Sequence, residues 1–106
     1  MSHTQTSWFV LHLPELGKAF ENFYQKCNEN GVLDKKTKAL VMVALTSVFH
    51  APNQTEEHLQ RALDAGATKE EITEVLLIAA AESAWTQLIS EQQTYHKYLG
   101  GKKNDV

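Results

Sequence analysis

Between Thr55 and Trp85 the chain reads TEEHLQRALDAGATKEEITEVLLIAAAESAW, and no other stretch limits the fold as tightly. Leu59, Ala62 and Leu63 recur at helical spacing and mark one face of a first helix. Gly66 follows, where a residue of left-handed conformation closes such a helix. Thr68 and Glu71 then have capping-box spacing, in which hydroxyl and carboxylate satisfy the free N–H groups of a new helix start. A second helix is therefore expected from about Lys69. From Val75 to Ala81 it carries no polar residue on any face. A helix apolar all round has to be covered on all sides, and a chain of 106 residues has few other elements to do it. The pattern predicts burial against other subunits.

The flanking sequence is also helical in pattern. Residues 1–13 mix polar residues with Trp8, Phe9, Val10, Leu11 and Leu13 and read as an N-terminal arm. Pro14 suits a first helical turn, after which Leu16, Phe20, Phe23, Tyr24 and Cys27 recur on one stripe until Asn30 and Gly31 stop it. Asp34 can cap the next helix, which is nearly all apolar from Leu40 to Leu45 and again at Val48 and Phe49. Ala51-Pro52-Asn53 breaks the pattern, and Asn53 or Thr55 is expected to cap the helix that carries His58. Past Glu82 the apolar positions become Trp85, Leu88 and Ile89, then Tyr95, Tyr98 and Leu99, so a bend or short break is expected near Ser83. Residues 100–106, GGKKNDV, read as a flexible tail. Strand-like alternation and internal repeats are both missing from the sequence. The expectation is one all-α domain over residues 14–99, a bundle of five to six helices that oligomerises through its apolar helices.

Composition narrows the function. A net charge of -3 and a pI near 5.9 argue against a nucleic-acid surface, which draws on clustered Lys and Arg. The one basic run, Lys35 to Lys38, looks like the first turn of a helix. MSHTQTSW has neither the basic nor the long apolar segment of a leader, and Leu40 to Leu45 is too short to span a bilayer, so a cytoplasmic protein without membrane contact is expected. A single cysteine, Cys27, excludes an internal disulfide. Asn53-Gln54-Thr55 matches a glycosylation sequon but reads better as a loop and helix start.

The order His58-Leu59, Ala62-Leu63, then AGATKEEI and EVLLIAAA resembles the carboxymuconolactone decarboxylase family, which includes the alkylhydroperoxidase-like proteins. The resemblance runs from about Phe20 to Leu88 and implies an alkylhydroperoxidase-like helical bundle assembled as a homo-trimer or homo-hexamer. It also implies a small-molecule ligand held at a subunit junction. In the peroxidase branch of that family a Glu and two Cys precede the His at fixed spacing. Counted back from His58, those positions fall on Ala39, Ala51 and Gln54. Peroxide reduction needs one thiolate to attack and a second thiol to resolve the sulfenic acid, and Ala51 and Gln54 supply neither. The decarboxylase branch does not use that pair. Lyase or isomerase chemistry is thus favoured over alkylhydroperoxidase or peroxiredoxin-type activity, with a non-catalytic oligomeric binding or scaffold protein as the alternative.

Three residues are candidates for the chemistry. His58, at the border of an apolar face, suits a general acid or base with one nitrogen bonded and the other facing a cavity. The plainer reading is a boundary histidine bonded to a carbonyl or carboxylate. His50 ends an apolar helix, where a cation complements the helix dipole, yet the loop from Ala51 to Gln54 is short enough to bring it toward His58. Glu82 interrupts VLLIAAAESAW on the stripe of Val75, Ile78, Ala79, Trp85 and Ile89, and is either paired and buried or simply wet. The histidine spacing is that of no known zinc motif, and neither a metal nor a cofactor is expected. Cys27, on the stripe of Phe20, Phe23 and Tyr24, reads as a small core residue, with a redox role as the third possibility.

Overall fold

In a computed structural model of the chain, residues 7–100 are described, and they form six α-helices with no strand among them. These are α1 (Trp8–His12), α2 (Pro14–Cys27), α3 (Lys35–Val48), α4 (Pro52–Asp64), α5 (Lys69–Ile89) and α6 (Gln92–Leu99). The bundle is therefore all-α. The tail from residue 101 onward and the first six residues of the arm lie outside the described residues.

The helix boundaries follow local chemistry. The Asp34 carboxylate accepts from the Thr37 N–H at 2.8 Å and opens α3. Past the end of α4, Gly66 has φ 96°, its N–H donates to the Leu63 carbonyl, and the Ala67 N–H donates to the Ala62 carbonyl. That pair of bonds is the Schellman closure, and its left-handed residue favours glycine. The capping box then forms in full: the Glu71 N–H donates to Thr68 Oγ1 at 3.0 Å and the Thr68 N–H to Glu71 Oε1 at 2.9 Å. Glu71 Oε2 also accepts from Lys36 Nζ at 3.0 Å, which ties the start of α5 to α3.

Three expectations are revised. The N-cap of α4 is Ala51, with Pro52 in the first turn, and neither Asn53 nor Thr55 caps it; the Thr55 hydroxyl donates back to the Ala51 carbonyl. Proline sets the helical φ in advance and lacks the N–H a cap would serve. α5 runs unbroken through Ser83 and ends at Ile89, because a serine in a helix interior leaves the backbone ladder intact. Within the arm, residues 8–12 are helical, and α1 folds back on α2 with Val10 against Gly17.

The interior is small. Ala39 and Val43 of α3, Ala62 of α4, Ala67, and Ile72 of α5 form its centre, with Leu40, Leu59 and Leu76 packed around them. α3 is thus the central helix, flanked by α4 and α5. Much apolar surface is left bare in the single chain: Leu77, Ile78, Trp85 and Leu88 of α5 are each more than 60% exposed, as are Leu16 and Phe23 of α2. The radius of gyration is 19.0 Å, against about 13 Å for a compact domain of roughly 100 residues. By length and composition α5 could also cross a membrane.

Candidate functional site

α4 turns His58 and Ala62, one helical turn apart, toward the interior, so His58 stands at the centre of the buried face and not at its border. Its ring is 1% exposed. Nε2 lies 3.2 Å from the hydroxyl of Tyr24, contributed by α2. Nδ1 is buried with no hydrogen-bond partner among the described residues. A buried polar atom left unpaired costs about 1–3 kcal/mol, and native structures pair nearly all of them. One nitrogen is therefore bonded, while the other, expected to face a cavity, is instead buried and without a partner among the described residues.

Burial holds the His58 pKa below its ordinary value of 6.5, because the charged ring loses its water; the neighbouring carboxylate of Glu57 acts in the opposite direction and Arg61 adds to the lowering. Glu57 and Arg61 pair with each other at 3.5 Å along α4. The imidazole is neutral near pH 7 and so has one N–H and one bare nitrogen.

Tyr24 is half-buried and lines an open groove of about 1050 Å³. The end of α2 forms one wall with Gln25 and Asn28, the start of α3 a second with Lys35, Lys36 and Ala39, and the end of α4 a third with Arg61, Asp64, Ala65 and Gly66. The Asn28 side chain donates to the Tyr24 carbonyl at 2.9 Å and fixes the end of α2. Tyr24 is thus both a lining residue of an open polar groove and the hydrogen-bond partner of the buried imidazole.

The other sequence candidates lie elsewhere. His50 is the residue after the C-cap of α3, with φ 56°, the left-handed place that glycine takes after α4. Its N–H donates to the Ser47 carbonyl and the next N–H, of Ala51, to Thr46, which repeats the Schellman pattern. It is exposed in a separate depression beside Pro52, Thr55 and Leu59. Since the nitrogens of His58 have Tyr24 and no partner respectively, His50 does not bond to it. Glu82 is exposed on α5 and accepts from the Thr86 hydroxyl at 3.2 Å. Among the described residues no group of three His, Cys, Asp or Glu side chains is placed to hold a metal ion.

At the positions of the peroxidase motif, Ala39 is buried, Ala51 is half-buried and Gln54 is exposed in the first turn of α4. Cys27 is half-buried, one turn beyond Tyr24. Sequence reasoning passed over Tyr24. Its signal was present, a lone hydroxyl on a stripe shared with Phe20, Phe23 and Cys27, since a buried phenol oxygen usually finds a partner.

Residues 14–90 match the carboxymuconolactone decarboxylase family, and the chain belongs to it. A solved structure of a protein from Methanobacterium thermoautotrophicum has the same fold, with a TM-score of 0.72 and 29% identity over 82% of this chain and 98% of that one. Over 51 residues the chain is 43% identical to "Uncharacterized protein 4 in cox locus" of Paracoccus denitrificans, covering 48% of this chain. The chain spans about half the length of that curated relative, 46%.

Proposed function

We propose that this member of the family is a small-molecule enzyme of lyase or isomerase character, in which His58 takes up and returns a proton without thiol peroxidase chemistry. The observation that supports the reading is the buried Nδ1 of His58, which has no partner among the described residues, while the other nitrogen holds Tyr24. Such an arrangement costs stability, and strain and unpaired polar groups concentrate where chemistry is done.

The working form is an oligomer of this chain, cytoplasmic, with α5 covered by further copies. A chain that leaves Leu77, Ile78, Trp85 and Leu88 bare exposes more apolar surface than a soluble monomer tolerates. A protein partner suits α5 better than lipid does, because Glu74 and Glu82 lie within its length and Ile72 already packs in the core.

The second reading is a binding or scaffold protein of the same fold, and the burial of His58 speaks for it, since a ring that no ligand touches can be purely structural. A metabolite screen on the wild type and on His58→Asn separates the two. Turnover by the wild type that is lost in the variant supports the enzyme; a ligand bound equally by both and turned over by neither supports the scaffold.

A further inference from the structure

We propose that Tyr24 is the residue of this site that meets the ligand, a small carbonyl compound in the groove, and that His58 acts through it as a positioning residue that holds the proton. The inference rests on the proton-transfer reading and names the atom through which that transfer runs.

A molecule in the groove cannot touch a ring that is 1% exposed. Tyr24 lines the groove, and its hydroxyl is the partner of Nε2, the one nitrogen of His58 that is bonded among the described residues. A proton passing between groove and imidazole therefore crosses the phenol oxygen. The neutral ring carries its proton on one nitrogen. With that proton on Nδ1, Nε2 is bare and accepts the Tyr24 O–H. As the phenol proton moves to Nε2, the phenol oxygen takes a proton from a C–H beside the ligand's carbonyl. The C–H bond breaks, its electron pair stays on the ligand as an enolate, and the positive charge rests on His58, beside the Glu57 carboxylate. Reversal returns a proton to a different atom of the conjugated system, which is an isomerisation, and no oxidant or reductant enters.

The walls indicate the class of ligand. Glu29, Asp34 and Asp64 face Lys35, Lys36 and Arg61 around the groove, so its formal charges balance. Lys36 and Arg61 are moreover paired with Glu71 and Glu57. A neutral or singly charged carbonyl compound fits such a lining better than a polyanion does.

The test is deuterium exchange from D2O into pyruvate, 2-oxobutyrate and levulinate, followed by proton NMR. It compares the wild type with Tyr24→Phe, His58→Asn and the double variant, each checked for helix content. The wild type is expected to exchange at least one probe above buffer, and each single variant to lose roughly 10²-fold or more of that rate. The double variant should be no slower than the slower single one, because the two groups act as a unit. Exchange kept in Tyr24→Phe but lost in His58→Asn would overturn the role of Tyr24 and leave proton transfer at His58 standing. No exchange by the wild type would overturn the proton-transfer reading and this assignment with it. Should Tyr24→Phe fail to fold, the ¹⁵N shifts of His58 in the wild type decide: a protonated Nδ1 with a bare Nε2 supports the relay, and a protonated Nε2 refutes it.

Discussion

The hydroxyl of Tyr24 lies 3.2 Å from Nε2 of His58, across 34 residues of sequence, and joins α2 to the buried face of α4. Because the ring is buried, its folded-state pKa lies below the ordinary 6.5. The unfolded chain then binds more protons than the folded one as the pH falls below about 6.5, so stability declines on acidification through that value toward the lower folded pKa. Denaturant melts between about pH 5 and 8 should show this decline. In His58→Leu the decline should be absent. Asp34 and Glu71, whose pKa values are lowered by their capping hydrogen bonds, act in a separate and more acidic window.

Association is the second expectation. Light scattering at micromolar concentration should give a mass that is a multiple of 11.9 kDa. Ile78→Glu, on the bare face of α5, should weaken the assembly and promote aggregation. A stable, well-folded monomer would contradict the assembly proposed for α5.

Gly17 carries a third. A Cβ there would lie 2.8 Å from Val10 Cα and 2.9 Å from the Phe9 carbonyl oxygen, both backbone atoms that no rotamer change can move aside. Gly17→Ala should therefore detach α1 from α2, read as faster amide hydrogen exchange over residues 8–12, while α3 to α5 keep their protection.

The signals that the sequence made legible were local ones. Gly66, Thr68 and Glu71 act within a few residues of one another, and Asp34 caps a helix beginning at the next residue, so spacing alone located both boundaries. The α4 start was misplaced because Pro52 competes with Asn53 and Thr55 as the marker and decides by its fixed φ. His58 was found through its family position, but its depth was underestimated. Leu63, which helical spacing assigns to the apolar face, is exposed, and the buried stripe is His58 and Ala62. The lone hydroxyl of Tyr24 on its apolar stripe signals a partner, but that partner is 34 residues away and local spacing does not name it.

Peroxide chemistry supplies a fourth expectation. With alanine and glutamine at the motif's cysteine positions, dithiol-dependent reduction of organic hydroperoxides should not exceed background, and Cys27→Ser should change nothing. Robust turnover that Cys27→Ser abolished would instead require a one-cysteine mechanism resolved by an external thiol.

The central claim is that His58 is kept for function at a cost in stability. Truncating a ring at 1% exposure opens a void, so its size must be matched in the test. The decisive measurement is the unfolding free energy of the double variant Tyr24→Phe/His58→Leu against the wild type, with oligomeric state held constant. Leucine fills a similar volume, the orphaned Nδ1 disappears, and the phenol that held Nε2 goes with it. Replacing both members of a buried polar pair by apolar groups of like shape is close to neutral or stabilising. The double variant is therefore predicted to be at least as stable as the wild type while losing proton exchange. A loss of about 2 kcal/mol or more, with exchange unaffected, would show that the imidazole is a structural core residue.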